Sequence, residues 1–259
     1  MHPDKPSQFL ALLGLALCCS VLWADMKPFE ARYAIYRNGK LSGKADASWR
    51  KQGDLWIMET EGVGTHGLGR ILRISDNEYV EGKLRQGRFI PQRYTHHTRV
   101  AGIDRGWTAT FDWPGETVFI TQNSDRDALP LSLENGGLDA LSLRMELQRR
   151  LEVGDPDMMY FMVDDDQIKQ QEYKVLPVER LETSLGCVNT IPVTRLRTNS
   201  TRYTRAWHSP DIGYVMVRME HGKTDGDHME MRITELQFEG KPVQPLPGCA
   251  AMQNNPARP

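Results

Sequence analysis

From Phe29 onward, apolar and polar residues alternate with a period of two, the mark of strands with one face buried. Phe29, Ala31, Tyr33 and Ile35 share one face, with Glu30 and Arg32 on the other. Asn38-Gly39 follows, a strong hairpin signal. Leu41, Gly43, Ala45, Ala47 and Trp49 then alternate with Ser42, Lys44, Asp46 and Ser48. The same pattern predicts strands over Leu55–Gly62, Arg70–Ser75, Glu78–Lys83 and Arg93–Val100, bounded by Gly, Asp or Asn turns. Trp107, Ala109, Phe111 and Trp113 form a further face, closed by Pro114-Gly115 and answered by Thr117–Gln122.

One segment has a different period. Over Leu138–Leu151, the residues Leu138, Leu141 and Met145, and in a second row Ala140, Leu143, Leu147 and Leu151, recur at helical spacing. Arg144, Glu146, Arg149 and Arg150 fill the remaining surface, which reads as the solvated side. Asp139 at the start and Gly154 just past the end stand where each is favoured. Strands resume over Met158–Val163, Gln170–Leu176, Glu179–Thr183, Thr190–Thr198, Thr201–His208, Tyr214–Glu220 and His228–Phe238.

So many short strands with one helix exclude a doubly wound sheet, which needs alternating helices. The pattern predicts a mainly β fold: a large curved antiparallel sheet or incompletely closed β-barrel, with one amphipathic helix packed on its concave side as plug or lid. No linker or composition shift divides residues 25–239, which read as one β-barrel-like domain. Residues 240–259, rich in Pro and Asn, read as a tail that is disordered beyond Cys249.

Ahead of the domain, Lys5 precedes an apolar run from Phe9 to Leu22 that ends at Trp23-Ala24. A spanning helix needs about 20 apolar residues, whereas a signal sequence needs a short positive region, a shorter apolar run and a small residue before the cut. Residues 1–24 are therefore read as a signal peptide cleaved after Ala24, with an uncleaved anchor as the alternative. Lipid attachment is disfavoured because Leu17 precedes Cys18 and Cys18 precedes Cys19. Processing leaves no integral membrane span and two cysteines, Cys187 and Cys249, which are expected to pair in an oxidising compartment.

Lys plus Arg is 32 against 34 for Asp plus Glu. That balance gives no basic footprint for nucleic acid, which is excluded as a partner. No motif supplies a cofactor, metal or catalytic site. His96 and His97 are adjacent on a strand and point to opposite faces, and His221 and His228 read as sides of a solvated hairpin. Asp164-Asp165-Asp166 lacks the alternating oxygen ligands of a calcium loop. The glycine-rich run Gly62–Gly69 leads into a strand rather than a helix, which argues for a mobile loop or bulge and against a phosphate cradle. His208-Ser209-Pro210-Asp211 reads as a tight connection between strands, since a triad converges across space and not along sequence. What remains is soft apolar material: the chain has 12 Met, and thioethers suit surfaces that accept variable apolar partners. Leu143, Met145, Leu147, Met162 and Met216 are the candidate lining of an apolar ligand site.

Phe29–Tyr33 with Gly43, then Phe89–Pro91 ahead of Tyr94, Asp139–Ser142 opening the helix, Leu185-Gly186 with Thr190, and Trp207–Asp211 with Gly213-Tyr214 and Val217-Arg218, resemble bacterial domain-of-unknown-function family 3108. The resemblance covers about residues 27–238, and its order and spacing carry it rather than any single motif. Met216 departs from it, standing where the family pattern has Pro. The resemblance implies an exported envelope protein of a Gram-negative bacterium, hence a periplasmic one, and implies no activity. The curved sheet is also similar to the unclosed barrels of periplasmic lipoprotein carriers, an analogy of fold. The expected function is non-enzymatic binding of an apolar ligand, a lipid or acyl chain, or of an envelope partner. The alternatives are an envelope hydrolase with a loop-borne site and a structural protein pairing through strand edges.

Overall fold

The structure is a computed structural model and describes residues 26–123, 127–155 and 158–250. The proposed signal peptide and residues 251–259 lie outside the described residues.

The chain first forms β1 (Phe29–Arg37), β2 (Lys40–Gln52), β3 (Leu55–Gly64), the short helix α1 (Gly67–Ile71), β4 (Ser75–Arg85), β5 (Arg88–Val100), β6 (Ile103–Asp112), β7 (Thr117–Gln122) and β8 (Leu129–Ser132). After helix α2 (Ala140–Val153) come β9 (Met159–Val163), β10 (Ile168–Val175), β11 (Glu179–Thr183), β12 (Gly186–Leu196), β13 (Arg202–Ser209), β14 (Val215–Lys223), β15 (His228–Phe238) and β16 (Lys241–Pro242). β1 to β8 form an antiparallel meander, and β1 also pairs antiparallel with β15, from which the sheet continues through β14, β13, β12 and β10 to β9. β11 pairs with β12 and β16 with β15 at the margins.

The period-two pattern has its expected cause. Along β1, Phe29, Ala31 and Tyr33 are buried and Glu30 and Arg32 exposed. Asn38 and Gly39 both take positive φ (49° and 75°), the turn whose twist matches flanking strands. Register shifts at Ile35/Tyr36, Glu81/Gly82 and Trp207/His208 bend the strands, as bulges do, and the sheet curls into a barrel. Met216 sits opposite the last of these, in a strand flanked on both sides. Its carbonyl accepts from the Tyr33 hydroxyl at 2.9 Å.

The barrel does not close by strand pairing: β8 and β9 are its free edges. The segment from Leu133 to Leu138 fills the gap. The Leu133 amide donates to the Glu116 carbonyl at 2.8 Å on the β7 side, and the Leu138 amide donates to the Phe161 carbonyl at 2.9 Å on the β9 side. Both backbone groups of Leu138 are used, because its carbonyl accepts from the Val163 amide at 2.9 Å.

That segment delivers α2 to the concave side. Asp139 caps the helix, accepting from the amides of Leu141 at 3.0 Å and Ser142 at 2.9 Å, and Gly154 ends it with φ +69°. Leu141 and Met145 enter the main core with Trp49, Trp56, Tyr94 and Ile233. Leu143, Leu147 and Leu151 pack instead against Met158, Tyr160 and Val193.

Two expectations are corrected. The polar side of α2 is not solvated: a helix inside a barrel is covered all round, so Glu146 is buried and the Arg149 and Arg150 side chains keep only 12% and 16% of their surface. Arg70–Ser75 is not a strand, and the glycine run leads into α1. A Cβ on Gly64 would stand 2.5 Å from the Gly69 carbonyl carbon, so the glycines let α1 lie directly on β3. The tail is docked as far as Cys249, short of the stretch expected to be disordered. The Cys187 amide donates to the Pro247 carbonyl at 2.9 Å, the Leu246 amide to the Leu185 carbonyl at 2.7 Å, and Cys187 and Cys249 form a disulfide.

Candidate functional site

Between α2 and the concave face of the sheet lies a cavity of about 910 Å³, at the upper end of the range for small-molecule sites. The structure brings Leu143, Met145, Leu147, Met162 and Met216 together on its wall, with Tyr33, Ala45, Ala47, Met58 and Val193. Seven of the 12 Met in the chain line it, the others being Met58, Met219, Met229 and Met231. So much thioether on one wall makes a surface that can re-form around differently shaped apolar guests.

Polar groups enter this wall at two levels. Deep inside, Arg144 of α2 donates to Glu78 at 3.1 Å, and Glu78 also accepts from Tyr94 at 2.7 Å and Thr60 at 3.2 Å. This buried carboxylate is fully engaged. Burial and the Glu78 charge push the Tyr94 hydroxyl far above its ordinary pKa, so it stays a donor. Arg144 keeps 36% of its side-chain surface because it fronts the cavity. Nearer the strand ends come Arg195, Arg197, Arg202, His221 and Lys223.

His208, Ser209 and Asp211 do not converge. The His208 ring is buried, with Nδ1 bonded to the Tyr214 carbonyl at 2.9 Å. The Ser209 hydroxyl is buried with no hydrogen-bond partner, and Asp211 accepts from the Asn189 amide at 2.7 Å. Among the described residues, the cluster Glu182, Cys187 and Cys249 has ligating atoms within reach of one another, but its sulfurs are joined in the disulfide. His221 stands on the cavity wall, bonded through Nδ1 to the Thr204 hydroxyl at 2.9 Å, and Asp165 and Asp166 are exposed.

Two buried groups, His208 on the cavity wall and Asp139 at the cap of α2, titrate in opposing senses. Burial pushes His208 down to about 4, so the fold refuses a proton that the unfolded chain takes up near pH 6.5. Its stability term is intact above pH 6.5 and is lost as pH falls to about 4, by about 3 kcal/mol at roughly 1.4 kcal/mol per pH unit. Burial pushes Asp139 up to about 6 against the hydrogen bonds it accepts. Its term is intact below the ordinary carboxylate range and is lost as pH rises through 6, again by about 3 kcal/mol. The two nearly cancel. Asp139→Asn keeps an acceptor at the cap but removes one of the pair, so urea unfolding of this variant should lose about 3 kcal/mol more than the parent between pH 6.5 and 4. Parallel pH profiles would refute the assignment.

The profile of a family described as "Protein of unknown function (DUF3108)" matches residues 32–234. The chain belongs to this family. No curated protein matches it. The DUF3108 chain is similar in structure to a β-barrel-like protein of domain of unknown function DUF1849 from Brucella abortus, with a TM-score of 0.57 and 10% identity over 83% of this chain and 99% of that one. This likeness shows the fold alone. A looser likeness, with a TM-score of 0.37 and 10% identity over 82% of this chain and 96% of the other, is to a protein with a YmcC-like fold from Bacteroides fragilis.

Sequence reasoning missed the polar members of the site. The signal was present: Arg195 and Arg197 continue the face of Val193 on β12, so two arginines occupy positions whose register points into the barrel.

Proposed function

We propose that this DUF3108 protein is a non-enzymatic binding protein of the bacterial periplasm that holds an acyl-chain ligand in the cavity between α2 and the sheet. The observation that carries this reading is the methionine-lined wall of that cavity. A core built only for stability packs without voids, whereas a space of about 910 Å³ exceeds what filling errors leave. The location rests on the signal-like residues 1–24 and on the disulfide, which persists in oxidising compartments. His208 is bonded to the Tyr214 carbonyl and Asp211 to Asn189, and the Ser209 hydroxyl is bonded to neither of them, so the reading assigns the three no catalytic role.

Uptake of a fluorescent fatty-acid probe tests it. The parent should bind the probe, Ala206→Trp, which puts an indole into the cavity, should reduce binding by roughly tenfold or more, and Leu147→Ala, which widens it, should increase uptake. Native mass spectrometry of protein purified from its own envelope should show a co-purifying lipid. Equal probe binding by the parent and Ala206→Trp would remove the cavity from the account.

A further inference from the structure

The concave face of β12 to β15 is graded. Cross-strand register sets Ala206 opposite Met219 and Met219 opposite Met231, an apolar row. One step toward the strand ends, Thr204 pairs with His221, and Arg195 is flanked by Tyr173 of β10. One step further, Arg202 stands directly opposite Lys223, and Arg197 reaches back to the Thr204 hydroxyl at 3.1 Å. All of these residues line the cavity, and Asp227, the carboxylate beside Lys223 there, is taken by Arg37 at 2.5 Å, so the apolar depth leads up to an end with an excess of cations.

Like charges directly opposite each other in a sheet are destabilising, and elsewhere this fold neutralises them. Between β14 and β15, Arg218 faces Arg232 and Glu220 faces Glu230. There a carboxylate stands between the two cations: Glu230 binds Arg218 across the strands at 2.6 Å and Arg232 along its own strand at 2.7 Å. The inner cluster has no such arrangement. Among the described residues no carboxylate forms an ion pair with Arg195, Arg197 or Arg202, and the Arg195 Nε is buried without a hydrogen-bond partner. A buried, unpaired guanidinium N–H is costly, and a planar fork of donors fits carboxylate or phosphate oxygens. The repulsion reaches its neighbours: burial, then Arg195 and Arg202, hold Arg197 below its ordinary pKa, and burial with the three arginines holds His221 down. Arg144, deeper in the cavity, is a poor rival for an anion because Glu78 already balances it.

We propose that Arg195, Arg197 and Arg202 form a head-group site for an oxyanion, carboxylate or phosphate, borne by an amphiphile whose acyl chain lies among the methionines below. This rests on the cavity reading above and adds its polar end. The ligand class is thereby an anionic amphiphile rather than a neutral or zwitterionic one.

The test is displacement of an uncharged fluorescent naphthylamine probe by palmitate, palmitoyl lysophosphatidate, monopalmitoylglycerol and inorganic phosphate, in the full protein and in Arg195→Gln/Arg197→Gln. The anionic amphiphiles should bind the parent roughly tenfold to a hundredfold more tightly than monopalmitoylglycerol, and the double variant should erase that difference while binding the neutral lipid as before. Which of palmitate and lysophosphatidate gains more assigns the head group. The unliganded variant should unfold at the same or a higher temperature than the parent, because a like-charge cluster is relieved. Equal affinity for charged and neutral amphiphiles, unchanged in the variant, would overturn the head-group site and leave the cavity reading standing. Binding of inorganic phosphate as tight as that of lysophosphatidate would overturn the amphiphile and reassign the arginines to a free oxyanion. Failure of the uncharged probe itself to bind the parent would overturn both.

Discussion

Glu146→Ala is expected to lower the stability of the protein by about 3–5 kcal/mol, the range for breaking a buried ion pair from one side. Glu146 lies on α2 inside the barrel and takes two arginines at once. Arg149 donates to it through Nε at 2.8 Å and Nη2 at 2.5 Å, and Arg150 through Nε at 3.1 Å. Arg150 has a second carboxylate in Asp155, so truncation of Glu146 orphans chiefly Arg149. Arg149→Ala should cost less, because Glu146 keeps Arg150. Replacing both members of the pair, Glu146→Leu with Arg149→Leu, should recover most of the loss, since apolar residues of similar volume substitute well for buried pairs. Urea unfolding of the three variants checks this, and a cost below about 1 kcal/mol for Glu146→Ala, the scale of an exposed pair, would mean that the helix face is wet after all.

The second large effect concerns the disulfide. Cys187 and Cys249 are 62 positions apart, and closing a loop of that length in the unfolded chain is worth about 4 kcal/mol by the chain-entropy relation. Cys187→Ala/Cys249→Ala should therefore unfold about 8–16 °C below the parent, at roughly 2–4 °C per kcal/mol for a domain of this size. The backbone bonds of Leu246 and Cys187 to the docked segment remain in the variant, so native-state proteolysis should first nick the segment after Lys241. A melting temperature equal to that of the oxidised parent would show that the bond adds nothing to the fold.

The strands were legible because one-sided burial forces a period of two, and the incompletely closed barrel followed from their number. Helix α2 was legible from Leu138, Leu141 and Met145, but its surroundings were not. An Arg/Glu face at three- and four-residue spacing reads like a solvated salt-bridge face, and nothing local reports that a sheet wraps around it. α1 was missed for the opposite reason: five residues hold less than two helical turns, too few for periodicity, and its glycines serve a close approach to β3. Of the candidate site, the apolar wall was accessible from methionine content. Glu78 and Tyr94 were out of reach because their partner, Arg144, comes from an element far along the chain.

The pairing of β1 with β15 sets Phe29 beside Phe238, so the middle of the sheet is made from the two ends of the domain. Every other neighbouring pair among β1 to β8 is local and can form as soon as its hairpin exists. This one has to wait for nearly the whole chain, and such long-range pairing slows folding. Until it forms, both meanders present an unpaired strand edge beside an apolar face, the arrangement most open to intermolecular association. Refolding yield should accordingly fall with protein concentration, and a chain cut short before β15 would be left with β1 as a bare, adhesive edge.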